Sequence, residues 1–229
     1  ASIEFALSDR LLEAQVFVLK NIVNATFIYE AVRFNSLTGS TDGNQKPEWL
    51  ELLHEKVWTR SNEVILNNVA GQYDVYRFEL LQLSAIFIKW APDLISDFKK
   101  DVIKFNWHFI KLEDILVKQA AYMTIASFIS RFEFPIRVVT QVFVAILRCS
   151  QAEARFLARQ SLDILAPVIH KRMDEAGTPN TWVNWVKRVL FENNSAQNNT
   201  LYQFLINHPD LFFDSRDLFM SHIIVHMSK

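Results

Sequence analysis

His222 and His226 stand four residues apart near the end of this chain. On a helix that spacing brings both imidazoles to one face, as a pair of zinc ligands would need. The zinc-protease pattern also needs Glu directly after the first His, to act as general base, and here that residue is Ile223. No third ligand cluster accompanies the pair, and Cys149 is distant in sequence. The competing reading is an amphipathic helix carrying two partly exposed imidazoles. Glu113 and Asp114 are adjacent carboxylates, but neighbours on a helix diverge and do not form an acid–base couple. Near the start of a helix beginning around Leu112, their charge instead complements the helix dipole.

The remaining candidates read mainly as structure. Trp182 and Trp185, three apart, suit either a binding platform or core packing. Arg155 and Arg159 make a local basic stripe with Glu153 nearby, the pattern of a solvated face. Cys149 has no His or Asp beside it to activate a thiolate and reads as buried and inert. Three acceptor-like triplets begin at Asn24, Asn193 and Asn198. Ala1–Ser8 lacks a basic stretch followed by an apolar core, so no secretory signal accompanies them and they read as chance matches. Four glycines cannot build a phosphate loop or a nucleophile elbow. The expectation is a protein with no catalytic residue, no metal and no cofactor.

Bulk properties narrow the partners. The 229 residues are half apolar, and the formal net charge is −1. Basic pairs such as Lys99-Lys100 and Lys171-Arg172 are scattered among acidic residues, unlike the clustered basic face of a nucleic-acid binder. No apolar run approaches the ~18 residues of a membrane span. A single cysteine rules out an internal disulfide and fits a reducing compartment. The chain starts at Ala1 rather than Met, and helical patterning continues through Ser221–Lys229, so an excerpt of a longer chain is expected.

The elements behind these residues are set out by proline. Pro47, Pro92, Pro135 and Pro179 are spaced by 45, 43 and 44 residues, each ahead of a run with helical apolar spacing. Proline has no N–H to lose at a helix start, and its fixed φ suits that place. A period in the forties with a helix start at each beat marks helical hairpins of the HEAT or armadillo kind. The expected architecture is all-α, an α-solenoid of HEAT-like antiparallel hairpins. It begins with the helix of a partial preceding repeat in 1–34 and a polar loop at 35–46. Repeat units then follow at 47–91, 92–134, 135–178 and, irregular and truncated, at 179–229.

Within that frame Asp9–Phe34 reads as one long helix, with Leu12, Val16, Leu19, Val23, Thr26 and Phe27 on its apolar face. Gly71 suits the residue just past a helix, a further break near Ser61 is expected, and Pro167 should kink or interrupt the helix Ala152–Glu175. Along Pro135–Ser150 the stripe Ile136, Val139, Phe143, Ile146 and Leu147 is widened by Val138, Val142 and Ala145. Arg137, Gln141 and Arg148 form its polar edge. Such a helix buries more than half its circumference, as one inside a stacked array does.

Two stretches, FNWHFIKLEDILVKQAAYMTIASFISRFEFPIRVVTQVFVAILR from Phe105 and AGTPNTWVNWVKRVLFENNSAQNNTLYQFLINHPDLFFDSRDLFMSHII from Ala176, are joined through EARFLARQSLDILAPVIHKRM. Together they resemble the helical-repeat region of the transcription-associated protein (TRRAP) family, in wording closest to its fungal members. The likeness covers most of the chain and is specific by length rather than by any single motif. It implies a segment of the HEAT solenoid of a protein laid out like the phosphatidylinositol kinase-related kinases, with a FAT region and a kinase-like domain lacking catalytic residues. Neither of those regions is in this sequence. The resemblance further implies a nuclear, non-catalytic scaffold of histone acetyltransferase complexes, SAGA among them, with protein subunits and acidic transcription activators as partners. If activators dock here, exposed apolar grooves edged by Arg or Lys are the receptors to look for, with Arg137 and Arg148 as candidates for such a rim. The alternatives are another helical-repeat adaptor, such as a nuclear transport receptor, and an enzyme built on His222 and His226.

Overall fold

The computed structural model describes residues 1–8, 11–34, 47–59, 71–149, 151–178, 181–192 and 195–227. The loop expected at 35–46, the break near Ser61 and the helix start at Pro179 lie outside them. Every regular element among the described residues is helical. The chain divides into two compact units, Ala1–Phe132 and Glu133–Lys229.

In the first unit, α1 (Ser2–Ala6) precedes a long helix made of α2 (Leu12–Val18), a π-helical stretch Leu19–Asn24 and α3 (Ala25–Phe34). The π stretch follows from the spacing of what is buried. Gln15, Leu19, Val23, Phe27 and Ala31 are buried at strict four-residue intervals. On a 3.6-residue helix a step of four drifts by about 40°, so such a stripe would wind off its partner. A wider π turn underwinds the helix and keeps the stripe facing the core. Thr26, placed on the apolar face by the sequence pattern, is exposed.

Next come α4 (Glu48–Leu53) with a second π stretch, His54–Thr59, and a 3-10 turn Gly71–Tyr73 leading into α5 (Asp74–Trp90). Gly71 opens that turn and its φ is not positive, and the helix it is expected to follow lies outside the described residues. A short α6 (Pro92–Ile95), a 3-10 turn Ser96–Phe98, α7 (Lys99–Ile110) and α8 (Ile115–Arg131) complete the unit. Asp114 is the N-cap of α8, accepting a hydrogen bond from the Val117 N–H at 2.8 Å. The π stretch after α4 packs on α7, α5 packs on α8, and α7 and α8 pair as a hairpin.

The second unit holds α9 (Ile136–Leu147), α10 (Arg155–Glu175), α11 (Thr181–Glu192), α12 (Ser195–Asn207), α13 (Pro209–Phe212), a 3-10 turn Phe213–Ser215, and α14 (Asp217–Met227). α9 pairs with α10 and packs on α11, while α10 packs on α12. Within each unit, first helices stack on first helices and second on second, the arrangement of a HEAT-type α-solenoid. Along α9, Val139, Val142, Phe143, Ile146 and Leu147 are buried, and only Arg137, Gln141 and Arg148 are exposed.

Proline does what its chemistry allows. Pro47 and Pro135 sit at the N-cap, with ψ of 137° and 138°, and their carbonyls accept from Leu50 and Val138 in the first turn. Pro92 occupies the first helical turn of α6. α10 runs through Pro167 without a break. It ends at Gly177 with φ of 70°, where the Thr178 N–H bonds the Met173 carbonyl and the Gly177 N–H that of Asp174. That pair of bonds is the Schellman ending, which glycine reaches without steric cost. The polar run Asn193–Thr200, read from sequence as a crossing, is helical from Ser195 onward.

Candidate functional site

Among the described residues, those suited to chemistry are held apart or already engaged. His222 is half-buried, with Nδ1 3.0 Å from the Tyr202 hydroxyl and its ring centroid 4.5 Å from that of Phe191. Burial pushes the Tyr202 phenol above its ordinary pKa, opposed by a hydrogen bond with Asn198. The side chain of His226 lies outside the described residues. Among those described, no three His, Cys, Asp or Glu side chains converge as a metal site would require. Cys149 is half-buried, its Sγ 3.9 Å from the Gln151 carbonyl oxygen.

Trp182 is core, 1% exposed, against the rings of Phe143, His170 and Phe212, while Trp185 is half-buried. Arg159 is less solvated than its spacing suggests. It donates to Gln203 Oε1 at 2.7 Å and its guanidinium lies 5.4 Å from the centroid of the exposed Phe156 ring. Arg155 is also half-buried. Of the acceptor-like asparagines, Asn24 is buried and bonded to Glu79, and Asn198 is buried too, so neither offers its amide to a modifying enzyme in the folded chain.

Arg137 is exposed on α9. Arg148 is exposed as well and lies 3.6 Å from Glu192, which also pairs with Arg188 at 2.7 Å. The hydrogen bond from Arg188, with the charges of both arginines, holds the Glu192 carboxyl below its ordinary pKa.

What the structure assembles is apolar surface. In the second unit α12, α13 and α14 enclose a groove of about 420 Å³. Ile206, Phe213 and Met220 line it and are exposed, and Arg216 edges it, its guanidinium 4.4 Å from the Phe213 ring centroid. Neither Arg137 nor Arg148 lines this groove. In the first unit the outer face of α3 exposes Ile28, Tyr29, Val32 and Phe34, with Arg33 over the rings of Tyr29 and Phe34. Single exposed apolar residues are ordinary, whereas contiguous apolar faces mark interaction surfaces or ligand grooves. The helical stop at His208-Pro209 is what creates the groove. α13 turns the chain there, and Asp163 on α10 holds the corner through His208 Nε2 at 2.9 Å and the Asn207 amide at 3.2 Å. Spacing alone could flag Phe213 and Met220 as apolar, but not that the turn at His208-Pro209 opens a cleft beside them.

Comparison with known proteins is consistent along the chain. The family model described as the Tra1 HEAT repeat ring region matches residues 5–229. The SAGA complex/NuA4 acetyltransferase complex subunit TRA1 of Saccharomyces cerevisiae is 61% identical over 98% of this chain. The SAGA complex/NuA4 acetyltransferase complex subunit Tra1 of Schizosaccharomyces pombe is 38% identical over 69%, and the human Transformation/transcription domain-associated protein 23% over 95%. The matched segments are 6%, 4% and 6% of those proteins' own lengths, so this chain spans a small part of each.

Proposed function

This chain belongs to the Tra1 HEAT repeat ring family, and on that premise we propose that it is a non-catalytic scaffold segment of a transcription coactivator subunit in histone acetyltransferase complexes of the SAGA type. The observation that carries the reading is the 61% identity to the yeast SAGA/NuA4 subunit across nearly the whole chain. It acts by shape: stacked hairpins hold partner proteins on their surfaces, in the nucleus, and perform no chemistry. The division into repeat units at 47–91, 92–134, 135–178 and 179–229 belongs to the same reading. Tagging the full-length native protein, purifying it from nuclear extract and identifying what accompanies it by mass spectrometry tests this. Recovery of acetyltransferase-complex subunits is expected, and their absence overturns it.

The finer part of the proposal concerns activators. Acidic activator segments dock in the groove of α12–α14, their apolar side chains on Phe213 and Met220 and their carboxylates at Arg216. Support comes from an apolar cleft with one arginine at its edge, the combination an acidic amphipathic segment fits. Arg216→Glu is expected to weaken activator pull-down. Charge reversal of Arg137 and Arg148 together tests the rim suggested by sequence, and an unchanged pull-down removes both from it.

A further inference from the structure

We propose that a second groove, formed in the first unit by α1, the α2–α3 helix and α4, docks a cationic amphipathic segment of a partner protein. It encloses about 650 Å³. Its floor is apolar: Ile22, Trp49 and Leu52 line it, and Ile22 is exposed. Trp49 is held rigidly, its ring 5.2 Å from that of Phe27 and 5.4 Å from that of Phe87. A fixed, half-buried indole offers both apolar area and a face for a cation.

The wall is acidic. Glu48, Glu51 and Glu55 line the groove from α4 and the turn after it, and Glu4 joins them from α1. No Lys or Arg is among the described residues lining it. Glu4 is paired with the Ala1 amino group at 3.3 Å, so the inference stands on the exposed Glu48 and Glu51. Both lie in the first turn of α4, where the helix dipole favours a carboxylate whatever its function. That does not explain why Glu55, a turn further on, continues the same face, three and seven residues apart counted from Glu48. Nor does it explain why that face walls an apolar cleft. The carboxylates of Glu48 and Glu51, three residues apart, repel one another, and a partner's ammonium or guanidinium groups relieve the repulsion while its apolar residues cover the floor. The occupant is thus opposite in charge to the one proposed for the α12–α14 groove, and the two sites are tested separately.

Fluorescently labelled peptides with leucines in one helical register and lysine, glutamine or glutamate elsewhere provide the probe. Binding to the 229-residue chain is followed by anisotropy at low and physiological salt. The Lys–Leu peptide is expected to bind, more weakly as salt rises, and the Glu–Leu peptide to bind far less. Glu48→Lys with Glu51→Lys should weaken the Lys–Leu peptide by at least about tenfold, and reversal of Asp210 and Asp214 in the other unit should not. If circular dichroism shows the double reversal to be unfolded, Glu48→Gln with Glu51→Gln decides, with a smaller loss in the same direction. Equal binding of the Gln–Leu peptide, indifference to the α4 substitutions, or no binding of the Lys–Leu peptide each overturns the proposal.

Discussion

The two units solve the same packing problem with different materials. In Glu133–Lys229 the core is a chain of rings: Phe143 touches Trp182 and Phe204, Phe212 touches Trp182 and Phe204, and Phe219 closes the row on Phe212. In Ala1–Phe132 the aromatic cluster of Phe27, Trp49, Trp58 and Phe87 is threaded by side-chain hydrogen bonds between helices. Asn24 donates to the Glu79 carbonyl and carboxylate at 3.1 and 2.9 Å, Trp58 Nε1 donates to Ser84 at 3.0 Å, and the Tyr76 hydroxyl donates to the Ala6 carbonyl at 2.9 Å. Apolar packing tolerates small slides, because one methyl contact replaces another. A buried hydrogen bond does not, because its loss leaves a desolvated polar atom. The first unit is thereby fixed in register at the π stretch that delivers Asn24, whereas the inter-helix hydrogen bonds of the second, such as His208 to Asp163 and Arg159 to Gln203, are half-buried or exposed and its core is set by volume.

That contrast can be broken experimentally, and the largest effect is expected in the second unit. Phe143 is fully buried, and Phe143→Ala should cost about 3–5 kcal/mol through lost transfer energy and a residual cavity. Denaturant unfolding measures it, and a loss under ~1 kcal/mol would mean the ring row does not hold that core together. In the first unit, Asn24→Leu should cost about 2–3 kcal/mol because the Glu79 carboxylate, 6% exposed, loses its donor. Replacing both, Asn24→Leu with Glu79→Leu, should recover part of that loss. Strict additivity in this double-mutant cycle would show that the pair is not coupled.

Smaller effects refine the comparison. Ser84→Ala orphans the buried Trp58 N–H and should cost about 1–2 kcal/mol. Gly177→Ala should cost about 1 kcal/mol from its positive φ alone, since an added Cβ there meets nothing within 4 Å. The smallest effect concerns pH. Glu192 has a folded pKa below its ordinary value, so what it contributes is present above the unfolded carboxylate pKa and lost as pH falls through the folded one. Because the group is exposed, thermal scans of Arg148→Ala with Arg188→Ala against the parent should differ slightly at neutral pH and converge in acid. A gap that widens on acidification would contradict the sign.

Legibility differed from element to element for physical reasons. α9 was readable because its polar residues form a narrow stripe that its neighbours leave in solvent. The long first helix was readable as a helix and largely in phase, since Leu19, Val23 and Phe27 are buried and only Thr26 of its expected face is exposed. Its outer face carries Phe17, Ile22, Ile28, Tyr29 and Val32 in the open, while the polar Gln15 and Asn24 are buried. What apolar spacing did not show is that Gln15 and Asn24 share the covered side, where Glu79 on the partner α5 accepts from Asn24. Arg148 was legible as an exposed cation, but its neighbour Glu192 is 44 residues away in sequence.

The sequence by itself determined that the chain is helical, that its helices pair as hairpins, and where several of them start. Those features rest on local terms: proline's fixed φ and apolar periodicity. The tertiary structure alone decided which polar side chains are covered with the apolar faces, where a helix must underwind to keep its face covered, and where exposed apolar residues converge into grooves. Those depend on side chains meeting across tens of residues, which no local preference encodes.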